Sequence, residues 1–190
     1  VLPENYRKFI IIRDLRDTLV SGYFSLRYSH PTIDAQLVRW RDALNAMTME
    51  EGLLMLMNEW LPASAKIQQS WLASGERIIH YEDMLDDASG ILEEVLINHC
   101  ELEVSSDRLR QVVSSNQFEN LTGGRRQGEE DLSAHQRKGI SGDWSNHFTS
   151  AVHGKFDHLY GNLLAHSLKR GGDHSRVVVN ISREVRAETI

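Results

Sequence analysis

Several absences bound this sequence of 190 residues before any motif is considered. Its single cysteine, Cys100, excludes an internal disulfide and a cysteine-built zinc cluster, and suits a reducing, cytoplasmic compartment. No apolar run approaches the roughly 18–20 residues of a membrane span. The longest, Gly52 to Met57, is closed off by Glu51 and Asn58. Basic residues are in deficit: 21 Lys and Arg against 27 Asp and Glu give a net charge of −6. That balance argues against a nucleic-acid binder working through a broadly basic surface, while leaving room for a local basic pocket. The first residues, Val1-Leu2-Pro3-Glu4-Asn5, carry neither an initiator Met nor the basic-then-apolar plan of a signal peptide, so the chain reads as starting inside a longer protein. Internal repeats and low-complexity segments are also missing. With 25 % charged and 41 % hydrophobic residues, what remains is an ordinary globular composition. The length is that of one domain, able to bury about 70 % of its unfolded surface.

The run Lys8-Phe9-Ile10-Ile11-Ile12-Arg13 is short, β-branched and uninterrupted, the pattern of a parallel strand buried on both faces. Asp14 then caps a helix carrying Leu15, Leu19, Phe24 and Leu26, which His30-Pro31 stops. A helical middle is predicted from Ala35 to Ser74, with Leu37, Trp40, Leu44, Met47, Leu53, Leu56 and Trp60 as core residues and a break at Leu61-Pro62. Arg77 to Tyr81 reads as a second strand, followed by a helix over about Ala88 to His99. Strand and helix have then alternated twice, which predicts an α/β layer architecture with right-handed crossovers. Further helices are expected at Ser106–Ser115 and about Thr149–Leu168, the last ending at Lys169-Arg170-Gly171-Gly172. Between them, Thr122 to Gly142 is a polar, glycine-bearing loop long enough to suggest function or mobility. Val177 to Ile181 could add an edge strand.

In open α/β sheets ligands lie beyond the carboxyl ends of the strands, against the amino ends of the following helices. Arg13 occupies such a place and could fork onto a phosphate, with Ser21 adding a hydroxyl; an arginine there pairs with a neighbouring carboxylate at least as often. Tyr81, at the second strand end beside Glu82 and Asp83, either stacks on a base or is a half-buried core aromatic. Arg137-Lys138-Gly139 can present two cations and free backbone N–H groups to one anion, or be an exposed solvated pair.

In order and spacing these pieces resemble the sulfotransferases that use 3′-phosphoadenosine 5′-phosphosulfate (PAPS) as donor. The segment Ile11 to Tyr23 resembles the family's strand and helix for the donor's 3′-phosphate, whose ligands fall on Arg13 and Ser21. Tyr81-Glu82-Asp83-Met84 is similar to a segment whose tyrosine lies near the adenine. Asn116 to Leu121 resembles a segment that normally carries serine or threonine near the adenine. Asn116 takes that position, with Ser115 the neighbouring candidate. Arg137-Lys138-Gly139-Ile140-Ser141-Gly142-Asp143-Trp144, with Phe148-Thr149 after it, is similar to the signature that closes over the 3′-phosphate.

The resemblance covers about Lys8 to Leu163 and implies a P-loop-type parallel sheet flanked by helices. It places a sulfotransferase domain over residues 1–168, with a tail at 169–190. The implied reaction is sulfuryl transfer from PAPS to a hydroxyl or amine of a small-molecule or carrier-bound acceptor, leaving 3′-phosphoadenosine 5′-phosphate, with no metal, nucleic acid or membrane span required. Arg13, Ser21, Tyr81, Asn116, Arg137, Lys138 and Gly139 would bind the nucleotide. The family's 5′-phosphosulfate loop and its general-base histidine belong ahead of Val1, so the sequence reads as the C-terminal two-thirds of such a domain, incomplete for catalysis by itself. Gly123-Gly124-Arg125-Arg126 is a poor replacement loop, and His80, at a strand end, is a structural histidine before it is a base. The vertebrate dimer motif is not supported, because Ser145, Ser150 and Gly154 stand at its positions. The alternative is a non-catalytic module that binds adenosine 3′,5′-bisphosphate or a partner chain.

Overall fold

The structure, a computed structural model, describes residues 6–167. The tail at 169–190, with the expected helix end at Lys169 to Gly172 and edge strand at Val177 to Ile181, lies outside the described residues. In chain order the elements are β1 (Ile10–Ile12), α1 (Leu15–Phe24), α2 (Ala35–Ala46), α3 (Met49–Glu59), α4 (Leu61–Leu72), β2 (Ile78–His80), α5 (Tyr81–Leu92), α6 (Ser106–Ser115), α7 (Phe118–Leu121) and α8 (Ser150–Ser167). β1 and β2 pair in parallel, Ile10 with Ile78, Ile11 with Ile79 and Ile12 with His80. A parallel pair joined through helices is the α/β class that the alternation predicts.

Local chemistry sets the helix starts. The Asp14 carboxylate accepts from the Arg16 N–H and opens α1, and Asp34 accepts from the Leu37 N–H and opens α2. Thr48 and Glu51 form a reciprocal capping box at α3; the Thr48 N–H and hydroxyl hold the Glu51 carboxyl below its ordinary pKa. Pro62 ends no helix: it stands in the first turn of α4, where its missing N–H costs nothing. Ser105 caps α6, and Thr149 accepts from the Val152 N–H at the start of α8.

The helix ends diverge from the periodicity. α1 and α5 run on as π-helical segments, Ser25–Ser29 and Glu93–His99, closed by His30 N–H to Ser25 O and Cys100 N–H to Val95 O. α5 begins at Tyr81, directly after the strand and well before Ala88. Its one non-helical residue, Asp87, accepts from the Gly90 N–H and so caps the later half from within.

Of the described residues, one compact unit holds 6–13, 76–131 and 136–141, and the other holds 14–75, 132–135 and 142–167. The first carries the sheet with α5, α6 and α7, around buried Ile12, Ile79, Val95, Leu109 and Val113. Its sheet is less covered than a strand buried on both faces: Ile11 is 45 % exposed, because β1 has one strand neighbour among the described residues. The second unit packs α1, α2, α3, α4 and α8 around Leu15, Leu19, Tyr23, Leu44, Leu53, Leu56, Met57, Leu61, Phe156 and Leu163. Trp40 and Trp60 pack against this cluster as predicted, the indole of Trp60 lying where a side chain at Gly22 would be. No helix among the described residues is long and apolar enough to cross a membrane.

Candidate nucleotide site

The register of the sheet places Arg13 and Tyr81 side by side, each one residue past a paired position, Ile12 opposite His80. The Arg13 guanidinium lies over the Tyr81 ring at 4.9 Å from its centroid, a cation–π contact that holds the fork in place. Its Nε is buried and has no hydrogen-bond partner among the described residues. A buried donor without an acceptor is costly, so this atom is suited to an incoming anion. Among the described residues no neighbouring carboxylate satisfies that Nε.

Two of the adenine-side candidates are turned to their own helix. Asn116 ends α6 with its Nδ2 donating to the Val112 carbonyl at 2.8 Å, and the Ser115 hydroxyl donates to the Gln111 carbonyl at 2.8 Å. Ser21 lies half-buried in α1, in the other unit from Arg13.

The Arg137-Lys138-Gly139 segment is held chiefly through its backbone. The Arg137 carbonyl accepts from the Asp131 N–H at 3.0 Å, and the Lys138 carbonyl accepts from the Gly128 N–H at 2.8 Å. Arg125 lays its guanidinium across the same strand of chain. Nη1 donates to the carbonyls of Arg137 at 2.9 Å and Glu129 at 3.1 Å, and Nη2 donates to that of Gln136 at 2.6 Å. The Arg137 side chain is ion-paired with Glu130. Gly139 has φ +68°, and a Cβ there would overlap the Phe118 ring. Both the left-handed backbone and the close ring demand glycine. The Arg125 guanidinium covers the same phenyl group, 5.2 Å from its centroid.

The second half of the signature is fastened to α1. Asp17, 2 % exposed, accepts from the Gly142 N–H at 2.6 Å and the Trp144 N–H at 3.0 Å. Gly142, at φ +77°, starts the short 3₁₀ turn Asp143–Asn146. Arg16 lies 3.9 Å from the centroid of the Trp144 ring while paired with Asp14. Asp17, Phe118, Arg125 and Glu130 are the residues that sequence reasoning missed. Asp17 stands in the first turn of α1, where an acidic residue is common and draws no notice. The Gly123-to-Arg126 stretch is a poor phosphate loop by sequence, and in the structure the Arg125 donors serve backbone carbonyls instead.

Among the described residues no group of three or more His, Cys, Asp and Glu side chains is placed to hold a metal ion. Residues 2–168 match the model of the sulfotransferase domain. The chain belongs to the sulfotransferase family. Among its relatives, sulfotransferase 2A6 of Mus musculus is 26 % identical over 175 residues, covering 81 % of this chain and 55 % of that protein. Sulfotransferase 1E1 of Homo sapiens is 30 % identical over 176 residues, covering 83 % of this chain and 54 % of that protein. The crystal structure of the mouse sulfotransferase SULT7A1 complexed with PAP shares the fold, with a TM-score of 0.52 and 20 % identity over 80 % of this chain and 56 % of that one. The sulfotransferase chain described here therefore spans about half the length of the relatives that it matches.

Proposed function

We propose that this chain is the donor-binding part of a PAPS-dependent sulfotransferase, which moves a sulfuryl group from PAPS to a hydroxyl or amine of a small-molecule or carrier-bound acceptor. Arg13 carries the reading: a guanidinium at a strand's carboxyl end, braced on Tyr81, with a buried Nε lacking an acceptor. Arg137 and Lys138 add charge, and Gly139 adds a left-handed turn of the kind that aims backbone N–H groups at an anion. These residue types fit a nucleotide 3′-phosphate, and in this proposal they supply local positive charge in a chain of net charge −6. Tyr81 and Asn116, in the same unit, complete the proposed nucleotide contacts.

Transfer breaks the bond from sulfur to the bridging phosphate oxygen and forms one to the acceptor oxygen or nitrogen, whose proton passes to a base. For this chain's residues the task is to bind and orient the 3′ end of the donor, so that binding energy far from the sulfur fixes the reacting geometry. The acceptor would be shaped by the helical insert over 31–71 and the loop over 122–136.

Calorimetric titration with 3′-phosphoadenosine 5′-phosphate tests the site. We expect saturable binding that Arg13→Ala and Arg137→Ala each weaken by roughly tenfold or more. A folded chain that shows no binding, or variants that bind as well as the parent, would overturn the assignment. Because the chain spans 54–55 % of its relatives' length, a second reading is a nucleotide-binding module without transfer. Labelled sulfate reaching an acceptor from PAPS on this chain alone would refute it.

A further inference from the structure

We infer that Arg125 is a positioning residue for the phosphate-binding loop, an inference that rests on the nucleotide reading above. A guanidinium is a rigid planar fork, and here it meets three carbonyls that do not lie in one secondary-structure ladder: Glu129 O, Gln136 O and Arg137 O. It thereby ties residues 129 and 136–137 together across the intervening chain. Without it the carbonyls of Gln136 and Arg137, immediately before the lysine and glycine, would lose donors. The loop otherwise consists largely of exposed residues rich in backbone freedom.

A second contact acts in the same direction. The Arg125 guanidinium covers Phe118, and the Phe118 ring fills the space beside Gly139. The guanidinium thus braces the ring that braces the glycine backbone, so the left-handed turn at Gly139 has a side chain packed against it. Thr122 assists by donating its hydroxyl proton to the Phe118 carbonyl at 2.6 Å, with the Arg125 carbonyl 3.3 Å from the same oxygen. Arg125 is thus spent on main-chain acceptors and places Arg137 and Lys138, rather than serving as an anion ligand itself. Pre-forming a loop in its binding shape lowers the ordering cost at the moment of binding.

The test compares Arg125→Ala, Arg125→Lys and Arg125→Gln with the parent chain, titrated with 3′-phosphoadenosine 5′-phosphate and separately with adenosine 5′-phosphate, which lacks the 3′ group. The expected result is a roughly tenfold loss for the bisphosphate, little change for the monophosphate, and an unchanged thermal midpoint. Lys, a point charge, should recover little of the loss, whereas added guanidinium ion should restore part of the binding to Arg125→Ala. Bisphosphate affinity unaltered in all three variants would overturn the inference. So would an equal loss for both nucleotides with a lowered thermal midpoint, the mark of a scaffold role. If the parent itself fails to bind the bisphosphate, the nucleotide reading fails, and that result is separate from any effect of Arg125.

Discussion

Arg137 has a carboxylate partner within its own loop, and that pairing governs how readily it can serve an anion. Glu130 holds the guanidinium while remaining more exposed than Arg137 itself, 38 % against 14 % by side chain. With one partner open to solvent, a pair of this kind contributes little to folding. It does compete with a phosphate for the same donors, so replacing the carboxylate by an amide of equal size should free Arg137 at small structural cost. Glu130→Gln is expected to tighten binding of 3′-phosphoadenosine 5′-phosphate by a few-fold, with the gain shrinking as salt rises. Titrations of parent and variant at low and high ionic strength check this, and an affinity equal to or weaker than the parent's would show that Glu130 is no competitor. The same residue shows a limit of reading from sequence. Two adjacent cations before a glycine stand out in a string of letters, but an acid seven positions earlier becomes their partner only once the loop doubles back.

At the scale of elements, legibility followed locality. The cap at Asp14, the limits Ser106–Ser115 and the start of α8 depend on neighbours within a few positions, and each was readable. The π segments, the kink at Asp87 and the early start of α5 at Tyr81 were not, because apolar periodicity does not separate an α from a π turn or show that Asp87 turns its carboxylate to the Gly90 N–H. Asp17 is the clearest case, an apparent first-turn acid whose carboxylate is spent on the backbone of Gly142 and Trp144. Asp17→Asn keeps the shape but replaces one acceptor oxygen by a donor facing an N–H. That change should cost about 2–3 kcal/mol, read as a lower urea midpoint and faster proteolysis within 123–142. An unchanged midpoint would mean that the turn holds itself. Tyr160 offers a parallel test on α8, since its hydroxyl donates to the Met57 carbonyl at 2.6 Å near the C-terminus of α3. Burial pushes its pKa from 10.0 up to about 12. The unfolded chain therefore gives up this proton first: the tyrosine's contribution is complete below pH 10 and is lost as pH rises from 10 towards 12. Tyr160→Phe, destabilised by about 1 kcal/mol at neutral pH, should show a shallower alkaline loss over that window. Parallel stability–pH curves for the two proteins would contradict the assignment.

For the whole molecule, composition and length predict one domain, and the described residues divide into two compact units between which the chain crosses five times. The crossings are invisible in the sequence because no glycine- or proline-rich linker marks them; Arg13 and Asp14 are consecutive residues of different units. The units differ in how much holds them. One has a continuous cluster built on α1, α3, α4 and α8, with Leu19, Leu44, Leu53, Leu56, Leu61 and Phe156 fully buried. The other has a two-stranded sheet, an arrangement marginal by itself, and its buried Leu109 and Val113 keep 7 % and 8 % of their surface exposed. Local opening should therefore be easier in the sheet-bearing unit. Arg13, Tyr81, Asn116 and Arg137 to Gly139 all belong to that unit, with Ser21 the exception. A ligand bound only by the closed form stabilises it by RT ln(1 + [L]/Kd), about 2.7 kcal/mol at a hundredfold excess over Kd. Native-state hydrogen exchange should then show faster exchange in β1, β2 and α6 than in α3 and α8 of the free protein. On adding 3′-phosphoadenosine 5′-phosphate, protection should rise in β1, β2 and residues 125–139 while α3 and α8 stay near their starting rates. Protection confined to the helical unit would place the binding energy away from Arg13, and with it the nucleotide.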